Sequence, residues 1–368
     1  MTSKDNFIVK AGETRYPVIF SPTRKKVATL VKESAKIVII SNPTVFALHG
    51  KRFIDKVIPH SKECHKIMIG DGEKYKTIQT INKLYDHFFD IGLSRKDTII
   101  TLGGGIVGDT GGFAAATFKR GVNLIQAPTT VLAMVDSSIG GKVGVNHALG
   151  KNLIGAFFQP QAVIVNPDWL STLGNREIID GFAEIIKTGF LSGPPFIKSI
   201  FSLKSDDFIK PTKNLLKLIK KSMRFKASIV ARDAHESDLR RILNFGHTFG
   251  HAIEKVEGFG RYRHGEAVLA GMIGALHLSH ATGNLRSKSM NEALDAIEPL
   301  VSHLNRLKND IPAYLSPMRV DKKNENGKQI FVLLKDIGRP HITEVKSKQK
   351  ISEAIRFMRE YVNNRSGR

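Results

Sequence analysis

In the first half of the chain, short apolar runs alternate with stretches of helical pattern. The runs end in glycine or turn-forming residues and occupy positions 37–40, 66–69, 98–102, 123–126 and 162–165. Continuous apolar strands that alternate with helices are typical of a parallel sheet covered on both faces. Residues 76–89 are predicted to form one crossover helix. This half is therefore predicted to be an α/β domain with a Rossmann-like parallel sheet.

Beyond Pro167 the pattern becomes helical. Helices are predicted over residues 176–191, 214–232, 239–256, 265–281 and 289–307, and a late strand or hairpin over 330–334. The turn Gly193-Pro194-Pro195 separates the first two helices. We predict two domains, 1–172 and an all-α C-terminal domain 173–368, with a boundary near Trp169 to Asn175. The ligand is expected in a cleft between them.

Length and composition agree with two soluble domains. The chain has 368 residues, of which 41% are hydrophobic and 24% charged, and this size exceeds one small core. No run of about 18 apolar residues is present, and the N-terminal residues lack the apolar core of a signal peptide. The single cysteine, Cys64, allows no internal disulfide. A cytoplasmic protein without a membrane partner is expected.

The formal net charge is +22, which leaves three interpretations open. A nucleic-acid binder concentrates Lys and Arg on one face. A solvated basic surface spreads them, and an enzyme for an anionic small molecule keeps a few in a cleft and gains encounter rate from the whole field. Here the charge is dispersed from Arg24 to Lys323. We therefore expect no nucleic-acid partner.

A group of histidines marks the second half. His247 and His251 are four residues apart and lie on one face of a predicted helix, and His264 follows 17 residues after His247. Imidazole is the commonest metal ligand, and three protein ligands with one open position are usual for catalytic zinc. The segment is therefore a candidate metal site.

A glycine-rich turn marks the first half. Gly103, Gly105 and Gly108 follow the apolar run that ends at Leu102, in the spacing of a dinucleotide fingerprint. Glycine loops at a helix N-terminus bring backbone N–H groups against pyrophosphate. The usual fingerprint lies on the first strand, however, with an acid about twenty residues later. Here two strands precede it and that acid is missing, so a strand-to-helix turn without a ligand remains the alternative.

Further polar segments follow the predicted strands. Asp71 and Glu73 stand after the second strand, where carboxylates can bind ribose hydroxyls, although an ordinary solvated turn explains them as well. Lys142 and Lys151 each stand beside glycine in otherwise uncharged segments. Such isolated lysines suit an anionic ligand.

Together these segments resemble the 3-dehydroquinate synthases, of the sugar-phosphate cyclase family. They run in family order over about residues 40 to 340. The matching stretches are Asp71-Gly-Glu73-x-x-Lys76, Gly103-Gly-Gly-Ile-Val-Gly-Asp109, Phe118-Lys-Arg120-Gly, Pro128-Thr-Thr130, Met134-Val-Asp136-Ser-Ser-Ile-Gly-Gly-Lys142, Gly150-Lys-Asn152-Leu-Ile-Gly, Ala183-Glu184-Ile-Ile-Lys187, Leu243-Asn-Phe-Gly-His-Thr-Phe-Gly-His-Ala-Ile-Glu254 and His264-Gly-Glu266.

The resemblance implies a dehydroquinate synthase-like fold, NAD as a recycled cofactor and one divalent metal, zinc or alternatively cobalt. The implied substrate is a phosphorylated sugar acid, 3-deoxy-D-arabino-heptulosonate 7-phosphate, and the implied products are 3-dehydroquinate and phosphate. In the similar enzymes a hydroxyl is oxidised, phosphate is eliminated, the hydride is returned, and the opened ring closes again by aldol addition.

The resemblance also implies residue roles. The implied metal ligands are Glu184, His247 and His264. The implied substrate contacts are Lys142, Asn152, Lys187, Lys226, Arg240, Asn244 and His251, with Arg120 reaching over from the partner of a homodimer. The implied NAD contacts are Asn42, Asp71, Glu73, Lys76, Gly104, Gly105, Asp109, Thr129, Thr130, Asp136, Lys142, Lys151, Thr172 and Leu173.

The residues alone support a different interpretation of several of these positions. Without the family, Glu184 is expected on a helix surface, paired with Lys187 at i+3, and Lys226 and Arg240 are expected as exposed helix charges. One metal ligand is expected from the pair His247 and His251. The alternative is that both histidines bind the metal. Arg240, Asn244 and His247 are expected on one helix face.

Departures and other functions also remain. Ala234 stands where relatives carry a second acid, and either Lys322 or Lys323 is a candidate for a family substrate lysine. A different sugar-phosphate cyclase, a metal-dependent polyol dehydrogenase that releases NADH, and a non-catalytic nucleic-acid binder are the competing functions. Lys226, Arg240, Asn244 and His251 together favour the dehydroquinate enzyme.

Overall fold

The computed structural model describes residues 5–258, 260–319 and 329–367. It contains two compact units. Unit 1 comprises Met1–Leu173 and Lys226–His235, and unit 2 comprises Gly174–Phe225 and Glu236–Arg368. The predicted boundary at 172/173 places residues 226–235 in the second domain, whereas in the structure they belong to unit 1. Lys322 and Lys323 lie outside the described residues.

Unit 1 is built on a seven-stranded sheet and a separate hairpin. Its strands are β1 (Phe7–Ala11), β2 (Thr14–Phe20), β3 (Lys36–Ser41), β4 (Glu63–Met68), β5 (Thr98–Gly103), β6 (Asn123–Pro128), β7 (Lys142–His147), β8 (Gly150–Phe157) and β9 (Ala162–Val165). Its helices are α1 (Arg24–Leu30), α2 (Pro43–Val45), α3 (Lys51–Val57), α4 (Ile78–Asp90) and α5 (Gly105–Thr117).

The sheet order is β1-β2-β9-β6-β5-β3-β4. Every pairing is parallel except that of β1 with β2. All five predicted strands form the parallel part, and every residue of β5 is buried, as a strand covered on both faces requires. The antiparallel pair β1/β2 and the hairpin β7/β8 were not predicted.

Helix α5 lies unusually close to the sheet because its facing residues are glycines. A Cβ on Gly111 would stand 2.6 Å from the Thr101 methyl group on β5. Beside it, Gln126 of β6 donates from Nε2 to the carbonyl of Gly108 (3.1 Å), and its Oε1 accepts from the Thr101 hydroxyl (2.8 Å). The glycine run after β5 thus serves helix-to-strand packing as well as the turn itself.

Unit 2 is helical apart from one hairpin. Its elements, with helix α8 continuing into the unit 1 segment, are α6 (Asn175–Ser192), α7 (Pro194–Phe201), α8 (Lys213–Arg232), α9 (His247–Glu257), α10 (His264–Ala281), α11 (Ser287–Val301), α12 (Ile311–Arg319), β10 (Ile330–Asp336), β11 (Arg339–Glu344) and α13 (Lys348–Asn363). The hairpin β10/β11 occupies the segment where a late strand or hairpin was predicted, and the rest of the unit is helical.

Helix α10 is the centre of unit 2. Residues 265–276 are all buried, which is typical of a helix surrounded by other helices. Of the helices in the described residues, none combines the length and the apolar character that a membrane span requires.

The α5 contact gives a stability prediction. Gly111→Ala places a methyl group where no space exists, and such overpacking costs about 1–3 kcal/mol, partly offset by the better helix propensity of alanine. We expect a lower urea midpoint with an unchanged slope. Gly150→Ala is the control, because its Cβ would meet only Leu153 at an ordinary 3.4 Å. Equal midpoints for the two variants would show that α5 has room to move.

Candidate functional site

Three helices of unit 2 bring their polar residues to one point. His247 is the first residue of α9, His264 is the first residue of α10, and Glu184 lies in the middle of α6. One ligand atom of each lies within 4.8 Å of the other two. The carboxylate and the two imidazoles are thus close enough together to be candidate ligands of one metal ion.

Glycines allow α9 and α10 to approach this closely. A Cβ on Gly271 would lie 2.3 Å from the carbonyl oxygen of Gly246 and 2.6 Å from the backbone nitrogen of Gly250. Gly246 itself has φ +79°, a backbone conformation that favours glycine. This turn ends the 3₁₀ segment Leu239–Asn244 and starts α9 at His247. The continuous helix predicted over 239–256 is therefore wrong, and Arg240, Asn244 and His247 do not share one helix face.

The Glu184 carboxylate fits a metal ligand. Its Oε1 atom is buried and has no hydrogen-bond partner among the described residues. It lies 3.8 Å from Nε2 of His247 and 4.0 Å from Nε2 of His264. Two atoms bound to one zinc at about 2.1 Å are at most about 4.2 Å apart. The distances are therefore too long for hydrogen bonds but within reach of a common cation.

Lys187 occupies the other side of the same carboxylate, where its Nζ contacts Oε2 of Glu184. Glu184 is 2% and Lys187 3% exposed. The i+3 pairing expected from sequence is confirmed, whereas the surface position expected for Glu184 is wrong. Both groups are enclosed by the packing of α6 in unit 2.

The histidine rings are held from behind. Nδ1 of His247 lies 3.3 Å from the Phe245 carbonyl oxygen, and Nδ1 of His264 lies 3.7 Å from Oε2 of the buried Glu254. Outer partners of this kind orient a metal-binding imidazole. Burial opposes protonation of His264, but Glu254 and then Glu184 outweigh it and raise the pKa of His264 to about 9. Metal binding displaces that proton.

His251 lies one turn after His247 and is exposed. Its ring centroid is 5.6 Å from that of His247 and 6.4 Å from that of His264. Among the described residues, the group of atoms close enough to share an ion comprises Glu184, His247 and His264 and leaves out His251.

Two further polar residues of unit 2 stand just before α9. Arg240 is 2% exposed, so the exposed charge expected from sequence alone is wrong. Asn244 donates from Nδ2 to Oε1 of Glu236 (3.0 Å), a residue with φ +59°. Sequence reasoning gave Glu236 no role. The available signal was its acidic side chain, two residues after Ala234, where the sequence departs from the family pattern.

The glycine turn of unit 1 forms the start of α5. Gly104 precedes the helix and Gly105 is its first residue. Thr130, whose hydroxyl accepts from the backbone N–H of Ala133 (3.1 Å), lies 3.4 Å from where a Cβ on Gly104 would stand. Thr129 is buried, and its N–H donates to the carbonyl of Gly103 (2.9 Å). Gly104 and Gly105 are partly buried, and backbone N–H groups at such a helix start can bind a phosphate group.

A buried lysine joins two predicted sets of residues in unit 1. Lys76 donates from Nζ to Oδ2 of Asp109 (2.6 Å) and to Oδ1 of Asn152 (2.5 Å). Asn152 has φ +53°, and its N–H donates to Oδ1 of Asn146 (2.9 Å), whose Nδ2 donates to Oε1 of Glu73 (2.6 Å). Asn146 was not predicted, but it connects residues assigned to NAD with one assigned to substrate.

Lys226 belongs to unit 1 and contacts Asp136. Its Nζ donates to the Asp136 carbonyl oxygen (2.6 Å) and to the Asp136 carboxylate. Lys226 is 8% exposed, so the exposed helix charge expected from sequence alone is wrong here too.

The remaining predicted residues of unit 1 lie at its surface or in turns. Asn42 caps α2 by accepting from the Val45 N–H (2.9 Å), and Asp71 accepts from Thr44 (3.1 Å). Thr172 is 2.8 Å from His49. Leu173 and Lys151 are partly buried, and Lys142 and Arg120 are exposed. Arg120 has φ +62°.

Unit 1 is a parallel α/β unit with a glycine turn at a helix start, and unit 2 is a helical unit with a candidate three-ligand metal centre. These features are typical of the class of nucleotide-binding α/β proteins that use a metal ion.

Comparison with known proteins specifies the class further. Residues 66–180 match the model of the 3-dehydroquinate synthase N-terminal domain, and residues 181–324 match that of the C-terminal domain. A 3-dehydroquinate synthase from Syntrophotalea carbinolica is 40% identical over 343 residues, which are 92% of this chain and 94% of that protein. The chain belongs to the 3-dehydroquinate synthase family.

Two solved structures share the whole fold. A 2-deoxy-scyllo-inosose synthase bound to carbaglucose-6-phosphate, NAD⁺ and Co²⁺ has a TM-score of 0.84 at 25% identity and covers 96% of this chain and 99% of its own. A 2-epi-5-epi-valiolone synthase from Streptomyces hygroscopicus subsp. jinggangensis, with NAD⁺ and Zn²⁺ bound, has a TM-score of 0.85 at 25% identity. The match covers 95% of this chain and 98% of that protein.

The ligand set gives a prediction about metal affinity. Alanine at Glu184, His247 or His264 removes a ligand and should weaken Zn²⁺ binding by more than about 100-fold, the upper end for loss of an outer partner. His251→Ala should stay within about tenfold. Competition against a chromophoric chelator measures both, with exposed His303→Ala as the matched control. A loss at His251 as large as at His264 would make His251 a fourth ligand.

Proposed function

We propose that this protein is a 3-dehydroquinate synthase, a carbon–oxygen lyase acting on a phosphate ester. It converts 3-deoxy-D-arabino-heptulosonate 7-phosphate to 3-dehydroquinate and phosphate, a step of the shikimate pathway to the aromatic amino acids. The observation that carries the proposal is the 40% identity to a 3-dehydroquinate synthase over 92% of the chain, together with the convergence of Glu184, His247 and His264.

Unit 1 is proposed to bind NAD. The turn at Gly104 and Gly105 supplies backbone N–H groups and the positive end of α5 for the pyrophosphate. Thr129 and Thr130 adjoin this turn. The other residues assigned to the cofactor are Asn42, Asp71, Glu73, Lys76, Asp109, Asp136, Lys142, Lys151, Thr172 and Leu173. The cofactors in the two related structures support this assignment.

Unit 2 is proposed to hold one divalent cation, Zn²⁺ or Co²⁺, on Glu184, His247 and His264. Bound there, the cation would supply Lewis-acid polarisation of a substrate oxygen. The protein's own part is to keep the three ligand atoms together and to hold each ring in one tautomer through Phe245 and Glu254. Lys187, which contacts Glu184, is proposed to offer a hydrogen-bond donor to the substrate.

A set of basic and amide side chains is proposed to bind the acidic, phosphorylated substrate. Ammonium and guanidinium groups bind phosphate and carboxylate strongly, and arginine can do so with two parallel hydrogen bonds. The residues of this set are Lys142, Asn152, Lys187, Lys226, Arg240, Asn244 and His251, with Arg120 acting across a homodimer. Lys226 pairs with Asp136, and Lys76 pairs with Asn152. In this proposal, these pairs exchange partners when substrate or cofactor binds.

The proposed setting is the cytoplasm, with no nucleic-acid or membrane partner. The dispersed positive charge and the single cysteine support it.

Another sugar-phosphate cyclase activity is the second candidate, because the two solved structures of such enzymes share this fold at TM-scores near 0.85. Their identity to this chain is 25%, against 40% for the 3-dehydroquinate synthase, which favours the latter.

One assay separates the candidates. Purified protein with Zn²⁺, the heptulosonate phosphate and NAD⁺ far below the substrate concentration should release phosphate in many turnovers without accumulation of NADH, because the hydride returns to the product. Product is checked by its conversion with dehydroquinase. Stoichiometric NADH would instead identify a dehydrogenase, and turnover only with other sugar phosphates a different cyclase. Glu184→Ala is the inactive control.

A further inference from the structure

The motif His264-Gly265-Glu266 contains one metal ligand and two residues to which no role has been given. Glu266 is 2% exposed although it is charged. A carboxylate that deep in a protein is retained only when it is fully paired. Its partners therefore indicate what it does.

Glu266 joins the starts of two helices. Its Oε2 accepts from the backbone N–H of Arg263 (2.8 Å), which caps the first turn of α10. Its two oxygens also accept from the guanidinium of Arg176, at the start of α6, over 2.5 Å and 2.8 Å. Paired hydrogen bonds of this kind fix direction as well as distance.

Two further contacts tie the same two turns. The Gly265 N–H donates to Oδ1 of Asp180 on α6 (2.6 Å), and a Cβ on Gly265 would lie 1.8 Å from the Asp180 carbonyl oxygen. Arg263 pairs with Glu177 of α6 at 2.5 Å. The two backbones are thus in direct contact, with no space for a side chain between them.

The position of this junction relative to the ligands gives it a purpose. Asp180 is one helical turn before Glu184 on α6, and Gly265 directly follows His264 on α10. Residues i and i+4 lie on one face of a helix, so any slip between the two turns changes the distance from the Glu184 carboxylate to the His264 ring. That distance is 4.0 Å here.

We propose that Arg176 and Glu266 are positioning residues that set the spacing between Glu184 and His264 and thereby tune metal affinity. They touch neither substrate nor metal. The inference rests on the proposed metal centre, but not on the identity of the substrate.

The test compares Arg176→Gln, Arg176→Lys and Glu266→Gln with the wild-type full-length protein. The metal-free proteins are titrated with Zn²⁺ against a chelator, and with Co²⁺ while its visible absorption is recorded. Arg176→Gln and Glu266→Gln should lose about 10- to 100-fold in affinity, as expected for an outer partner, with an altered Co²⁺ band. Arg176→Lys, which keeps the charge and one hydrogen bond, should recover part of the loss.

Arg365→Gln is the matched control. It removes another Arg–Glu pair of unit 2, with Glu298 at 2.8 Å, that involves neither α6 nor the start of α10, and it should bind metal like the wild type. Arg176 has a side chain 44% exposed, so its variants should fold, as circular dichroism of the metal-free proteins checks. Unchanged Zn²⁺ affinity and Co²⁺ spectra in folded Arg176→Gln would overturn the inference, as would an equal loss in Arg365→Gln.

The proposed function is judged separately. A wild-type protein that binds Zn²⁺ but does not turn over the heptulosonate phosphate would contradict that function. It would leave the affinity comparison between the variants intact.

Discussion

The arrangement of unit 2 depends on backbone-to-backbone contact between α9 and α10, two helices that each start with a histidine of the candidate metal centre. Gly246, Gly250 and Gly271 leave no room for any side chain between α9 and α10. Because His247 and His264 are the first residues of these helices, the distance between the helices bears directly on the distance between the two rings. A side chain at these glycines would collide with the backbone of the facing helix and force the two helices apart.

The electrostatics of the centre follow from this packing. Burial leaves Glu184 with one oxygen on Lys187 and the other facing two imidazoles. An unpartnered carboxylate oxygen in a packed interior costs free energy, and a cation relieves that cost. The same low-dielectric surroundings let Glu254 act strongly on His264. A divalent cation at this candidate site would offset the cost of burying the Glu184 carboxylate and would displace the proton from His264.

Much of the parallel sheet was predictable, because strands that are buried on both faces have continuous apolar sequences. The β7/β8 hairpin was not, since its glycines and lysines resemble a loop. The spacing of the histidines alone predicted a candidate metal centre. Glu184 could not be predicted in this way, because its proposed role depends on its burial and its sequence pattern is that of an exposed helix charge paired with Lys187. Only the family resemblance pointed to it. Arg240 and Lys226 were missed as buried residues for the same reason. The break at Gly246 was also missed, because it depends on one positive φ.

Unit 1 contains a ten-residue segment, Lys226–His235, that follows its main part by more than fifty positions. Lys226 contacts the Asp136 carboxylate. During synthesis, the ribosome adds every strand of the parallel sheet before it reaches Lys226. Domains generally fold as they emerge from the ribosome, but this one receives its last segment only after the first helices of unit 2 have been translated. A nascent chain arrested before residue 226 therefore contains the whole sheet but lacks both that segment and its ion pair with Asp136.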